Sequence, residues 1–357
     1  MGEPIMQKQQ TQIFSDLEDL FGERVESPGD PDALAVVSPE SVEEVRRLAG
    51  FAGERELPLV AVGAGTGEAR RREGGAVLVD FRRMRAMSLP EHEGPDGEPP
   101  LWVEVEPGAT WAELVEELRH RQRGLAVYPT SAPQATVGGW VSDDGLGIGS
   151  FEYGRLRENV LAASLVADDG RLLHVSDRER LDRALDSGGE ALIVRVRVRT
   201  RRVGFDRVFA AAFNSGRDLV RAAGAFIANR EVPLWHLAFV SPTLAAARGH
   251  RSRYILFGVY PALGGVEVWH DLRHRTLTAH GGEEMDPPEA NQVWGERFFP
   301  VVPGHPVPQA SRSFLSLPEL ERLVDAAGPK DAFQGVFSGS GEVLVLTLGP
   351  DSERSSH

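Results

Sequence analysis

Residues 58–67 read PLVAVGAGTG: the apolar run Leu59 to Val62 passes without a break into Gly63-Ala64-Gly65-Thr66-Gly67. A short apolar run bounded by Pro on one side and Gly on the other predicts a buried strand. Ala76 to Asp80 is again strand-like, so the glycine loop lies between two strands. The G-x-G-x-x-G spacing is not met and no long helix follows, which separates this loop from the nicotinamide-dinucleotide fingerprint. Taken alone it reads as a turn after a strand. A second small-residue segment, Thr136 to Gly149, is expected to be another loop. Two such loops beside buried strands suit a dinucleotide pyrophosphate, because backbone N–H groups meet its charge best where no side chain intervenes.

Working outward, Ile13, Leu17, Leu20 and Phe21 predict a short N-terminal helix, and Val36-Val37 a strand. The following helix, running to about Arg55, starts either at Ser38-Pro39 or one turn later at Ser41, where Glu44 completes a capping box. Thr110 and Glu113 form the same signature before a helix carrying Trp111, Leu114, Val115 and Leu118. Glu91 to Pro100 reads as an exposed acidic hairpin tip or insertion. Val160 to Ala167 and Arg171 to Val175 flank Asp168-Asp169-Gly170, a hairpin turn. After Gly204 the pattern becomes strand, helix, strand, strand, helix, with a final helix at Leu317 to Ala327 and paired strands at 332–338 and 342–348. The expected organisation is a lead-in at 1–30, a first domain at 31–204 and a second at 205–357.

The chain has 357 residues, 53 of them acidic against 39 basic, so its formal charge of -14 argues against a nucleic-acid partner. The arginines at 70–72, at 82, 83 and 85, and alternating at Arg195, Arg197, Arg199 and Arg201 read as solvated faces. With no cysteine, the chain holds no disulfide, thiolate nucleophile or cysteine-bound cluster of its own. No apolar stretch approaches the roughly 20 residues of a membrane span, and the start lacks a secretory core, so a cytoplasmic protein is expected. His270 and His274 have an i, i+4 metal-ligand spacing, but no third ligand is evident and a surface helix is the better reading.

In order, VVSPESVEEV, PLVAVGAGTG, VLVDFRRM, VEVEPGATWAELVEEL, YPTSAPQATVGGW, GIGSFEYGRLRENVLAASLVADDGRL and SGGEALIVRVRVRT together resemble the FAD-binding domain of the vanillyl-alcohol-oxidase/p-cresol-methylhydroxylase (PCMH-type) flavoproteins. The resemblance implies an α+β fold: two α/β subdomains around FAD, then a shortened α+β cap. It places Gly63, Ala64, Gly65, Thr66 and Gly67 around the pyrophosphate. Pro129, Thr130, Ser131, Thr136, Val137, Gly138 and Gly139 would line the flavin and remaining phosphate edge, with Gly149, Tyr153, Gly154, Asn159 and Val160. Gly189 and Ile193 fall where the family closes over the cofactor.

The first loop has no histidine and the chain no cysteine, so non-covalent FAD is expected. Asp143 and Asp144 would repel a pyrophosphate and must point away. QVWGERFFP, residues 292–300, is similar to a Trp-x-x-Arg-Phe element of the glycolate and D-lactate dehydrogenase branch. Arg297, beside Trp294 and Phe298, is either a fork for a substrate carboxylate or a structural arginine. The late His-rich metal motif of that branch is absent, so no metal is expected. His236, His305 and Glu296 are base candidates by residue type, and none is singled out.

The leading expectation is an FAD-dependent oxidoreductase taking hydride from a 2-hydroxy acid or related alcohol. The alternatives are a non-catalytic FAD-binding or electron-transfer subunit with an iron-sulfur or quinone-linked partner, and a binding module without flavin.

Overall fold

The computed structural model describes residues 3–29, 32–64, 75–90, 101–186, 191–261, 266–299 and 310–348. It resolves into two compact units. The first comprises Met1–Glu117, Ala132–Asp144 and Val160–Thr200; the second comprises Leu118–Ser131, Gly145–Asn159 and Arg201–His357.

In the first unit, helix Glu3–Phe21 is longer than the four apolar positions suggested, and turns Ile13, Leu17 and Phe21 inward while Leu20 stays exposed. A four-stranded sheet follows in the order Val25–Glu26, Ala33–Val37, Ala76–Asp80, Leu59–Val62, with its last three strands parallel. Parallel strands need a crossover, and helix Val42–Gly53 carries the chain from Ala33–Val37 to Leu59–Val62, on the far side of Ala76–Asp80. Ser41 is its cap, accepting from the Glu44 N–H at 3.3 Å, so the later of the two predicted starts is used. Leu59–Val62 is half-buried rather than buried, because it is the edge strand. Val45, Leu48, Val77 and Val79 pack into one core with Leu192 and Val194.

A second sheet of this unit runs Met87–Ser88, Trp102–Val105, Ala191–Arg202, Val160–Ala167, Leu172–Val175. In Ala191–Arg202, Leu192, Val194, Val196 and Val198 point into the core and Arg195, Arg197 and Arg199 outward, the period-2 pattern of a one-sided strand. Arg197 pairs with Glu104 at 2.8 Å. The predicted capping box forms, Glu113 accepting from the Thr110 N–H at 2.8 Å at the head of Trp111–His120. The segment expected to be one loop from Thr136 to Gly149 is instead headed by a helix, Val137–Asp143. The two glycines of its first turn hid it, since glycine disfavours helix by about 1 kcal/mol per residue.

The second unit centres on an antiparallel seven-stranded sheet ordered Glu283–Glu284, Asp206–Phe213, Tyr254–Pro261, His236–Val240, Ala332–Phe337, Val343–Leu348, Ala310–Leu315. Helices Gly216–Asn229 and Leu317–Ala326 contribute Leu219, Phe226, Leu320 and Val324 to a core with Phe239, Phe333 and Phe337. A second core holds Phe257, Val293 of helix Pro287–Gly295, and Leu244 of Pro242–Ala247. No helix among the described residues is long and apolar enough to cross a membrane.

Candidate functional site

In the first unit the two predicted loops converge. Strand Leu59–Val62 delivers Gly63 against the residues that open helix Val137–Asp143. A Cβ on Gly63 would stand 2.5 Å from Thr136 Oγ1, and 3.9 Å from the Gly139 Cα. One on Gly139 would reach Thr136 Oγ1 at 3.1 Å, and one on Gly138 would strike Pro107 at 2.6 Å. Close approach to Pro107 thus favours glycine strictly at 138, while at Gly63 and Gly139 an added carbon has only the room that the Thr136 hydroxyl can give.

The helix start is pinned on its inner side. Val137 N–H donates to Ala109 O at 2.8 Å and Gly138 N–H to Pro107 O at 2.9 Å. Trp111 donates through Nε1 to Thr136 O at 3.2 Å and meets Trp140 edge-on at 5.3 Å. Gly139 is exposed, and its N–H has no backbone partner among the described residues. The Thr136 side chain makes no cap bond. A cradle of glycine backbone beside a helix start, with one N–H outward, fits an extended anionic group such as a pyrophosphate. Asp143 closes this helix one turn after Gly139, and Asp144 is its C-cap in a left-handed conformation.

Of the other first-unit positions, Val160 lies opposite Val198 and Ile193 opposite Leu165. They are therefore separated by five residues of strand, about 17 Å, and do not meet. Gly65, Thr66, Gly67 and Gly189 lie outside the described residues.

The second unit assembles its candidates around a different kind of surface. Tyr128 and Ile148 exchange backbone hydrogen bonds of 3.0 and 2.7 Å, which sets 128–131 beside 147–149. Gly149 has φ +95°, and a Cβ there would lie 2.0 Å from Ala126 O and 2.6 Å from Trp235 Nε1. Its buried N–H donates to His236 Nδ1 at 3.4 Å. Gly154, with φ +72°, closes the next turn. Asn159 is buried and spends its amide on the Tyr153 and Arg155 carbonyls, both at 2.8 Å, so its side chain shapes this turn. Pro129 and Thr130 are buried and Ser131 half-buried, and Thr130 O accepts from the Phe299 N–H at 2.9 Å.

That last bond ties the 128–131 segment to the stretch holding Arg297. The Arg297 guanidinium stacks on Trp294 at 4.3 Å and Phe298 at 4.2 Å, donates from Nε to Tyr128 Oη at 3.3 Å and from Nη1 to Trp294 O at 3.0 Å. Among the described residues it has no carboxylate at ion-pair distance. Arg201, by contrast, pairs with Asp206 at 2.5 Å. The Arg297 backbone is clamped as well: Gln334 Nε2 donates to Arg297 O at 2.7 Å while Arg248 Nη2 donates to Phe298 O at 3.1 Å and to Gln334 Oε1 at 3.0 Å. Burial brings the Arg248 guanidinium down to about 10. His236, buried and ringed by Trp235, Phe257 and Trp294, is brought from 6.5 down to about 3, by desolvation first and the Arg297 charge second.

Tyr128, Arg248 and Gln334 escaped the sequence reading. Gln334 stands in an otherwise apolar buried strand, and a polar residue there was the available signal. Glu296 is engaged by His250 Nε2 at 2.7 Å, and His305 lies outside the described residues. His274 contacts Glu284 at 3.0 Å and His270 contacts Arg273 at 3.0 Å. No group of three or more His, Cys, Asp or Glu able to hold a metal occurs among the described residues.

The profile of a family described as FAD binding domain matches residues 33–176. Over 159 residues the chain is 33% identical to a probable mitochondrial D-lactate dehydrogenase of Danio rerio, a match covering 43% of this chain and 30% of that protein. Over 151 residues it is 26% identical to a glycolate oxidase subunit of Bacillus subtilis, covering 42% of this chain and 30% of the relative. The chain thus matches less than a third of the length of these curated relatives. Among solved structures, p-cresol methylhydroxylase with substrate bound superposes with a TM-score of 0.75 at 13% identity, over 96% of this chain and 83% of the other. A 4-ethylphenol oxidase from Gulosibacter chungangensis gives 0.74 at 15%, over 96% and 82%.

Proposed function

We propose that the chain is a PCMH-type FAD-dependent oxidoreductase acting on a 2-hydroxy acid or related alcohol. That reading is supported by the FAD-binding match at 33–176, by the D-lactate dehydrogenase and glycolate oxidase subunit among the relatives, and by the shared fold. The cradle of Gly63, Thr136 and Gly139 fits the cofactor independently, since a side chain at either glycine would fill it. Bound FAD would supply the two-electron acceptor that no side chain of this chain provides.

The observation that carries the substrate class is Arg297, a stacked guanidinium with no carboxylate counter-ion among the described residues. An arginine held this way is set for a planar anion, because stacking and the Tyr128 and Trp294 contacts have already fixed its orientation. Its role is to bind the acid's carboxylate and orient the carbon bearing the hydroxyl. The D-lactate dehydrogenase, glycolate oxidase subunit and D-2-hydroxyglutarate dehydrogenase among its relatives support that class.

The test is the absorbance spectrum of the purified protein before and after heating, then after anaerobic addition of D-lactate, glycolate and 2-hydroxyglutarate. Flavin that is released by heat and bleached by one acid is the expected result. Flavin that none of the acids bleaches would favour a subunit passing electrons to a partner, and a colourless protein that takes up no FAD would remove both readings.

A further inference from the structure

Gly149 and His236 are 87 residues apart in sequence, yet among the described residues the Gly149 N–H finds its hydrogen-bond acceptor on the imidazole, Nδ1 at 3.4 Å. That N–H is buried, and a buried backbone donor must be partnered. The turn cannot move to find another partner: Gly149 has φ +95°, the Ala126 carbonyl and the Trp235 indole close the space where a Cβ would be, and Trp235 Nε1 is itself tied to Ala126 O at 3.0 Å. His236 is equally fixed, as the first residue of a central strand in register with Val259 and with aromatic rings on three sides.

We propose that His236 is the positioning residue of the 147–154 turn, a neutral imidazole whose Nδ1 lone pair accepts the Gly149 N–H and whose proton therefore resides on Nε2. An imidazole in that tautomer donates from Nε2 and has no free lone pair. His236 is thus removed from the proton acceptors its residue type had suggested, and acts by holding the turn. The consequence for cofactor binding rests on the reading of Gly149 as a flavin-loop residue. The imidazole assignment does not depend on it.

Three measurements test this on the full chain. With 15N-labelled histidine, long-range proton–nitrogen spectra of the wild type and H236N identify the His236 signals by difference. The expected pattern is an unprotonated Nδ1 and a protonated Nε2; the opposite tautomer or an imidazolium overturns the proposal. Amide exchange of the 147–154 segment should be at least tenfold faster in H236L and near the wild-type rate in H236N, whose Oδ1 takes the place of Nδ1. Equal exchange in all three proteins overturns it. FAD affinity, read by flavin fluorescence, should fall about tenfold in H236L and be largely kept in H236N. A protein that shows the predicted tautomer and exchange but binds no FAD refutes the flavin reading and leaves the role of His236 standing.

Discussion

The first unit builds its candidate contact from backbone, and the second from side chains. Gly63, Gly138 and Gly139 matter because they carry nothing, and what they expose is main chain at a helix start. Tyr128, His236, Trp294, Arg297 and Gln334 matter for their functional groups, which only the folded sheet collects. A backbone surface tolerates loss of a neighbouring hydroxyl and resists an added carbon. A side-chain surface responds to the reverse, failing when one functional group is removed. Substitutions of both kinds can break or sharpen this contrast.

The largest effect is expected at Gly149, whose backbone is closed in by Ala126, Trp235 and His236 of its own unit. G149A must adopt a left-handed backbone and force a methyl into the Ala126 carbonyl, which should cost about 3 kcal/mol. A melting temperature within a few degrees of wild type would show that the turn has slack. Next comes R297M, expected to raise KM for the responsive hydroxy acid by about 100-fold through loss of a charge-assisted contact, with FAD affinity unchanged. If kcat falls and KM does not, Arg297 is not the carboxylate site.

His236 yields a pH prediction. The unfolded imidazole takes a proton near 6.5, whereas the folded one resists until about 3. Its contribution is therefore full above the unfolded value and is lost as pH falls towards the folded one, at about 1.4 kcal/mol per pH unit. Urea unfolding should show wild type losing about 2 kcal/mol more than H236N between about pH 7 and about pH 5. Parallel pH profiles would mean that the imidazole is hydrated.

Smaller again is G63A, expected to cost about 1 kcal/mol and to weaken FAD binding, with stability recovered in G63A/T136A, because the obstructing atom is the Thr136 hydroxyl. An uncorrected double variant would place the obstruction in the backbone. R197A on the exposed ladder should change stability by less than about 0.5 kcal/mol, since the Arg197–Glu104 pair is a surface pair.

Where local chemistry decides, the reading of the chain held. Thr110 with Glu113, Ser41 with Glu44, the Asp168-Asp169-Gly170 hairpin and the solvated face of Arg195, Arg197 and Arg199 each carry their structure within a few residues. Helix Val137–Asp143 was missed because its glycines oppose helix formation locally, while contacts with Pro107, Ala109 and Trp111 impose it from outside. The alternating arginines look equivalent in sequence, yet Arg195, Arg197 and Arg199 face solvent whereas Arg201 lies over Trp235 and pairs with Asp206.

The sequence by itself determined the helices and strands that cap, period and turn chemistry mark, the two glycine-bearing segments and the resemblance to a flavin-binding family. Period, capping and turn chemistry act over one or two turns of chain, so they are written in neighbouring residues. Only the tertiary structure decided that 118–131 and 145–159 join the unit that resumes at Arg201, that Gly63 meets Thr136, and that Gly149 finds its acceptor on His236. Those pairings satisfy buried polar groups and close-packed contacts between segments up to 87 residues apart in the Gly149–His236 case, and no local pattern encodes a partner at such a distance.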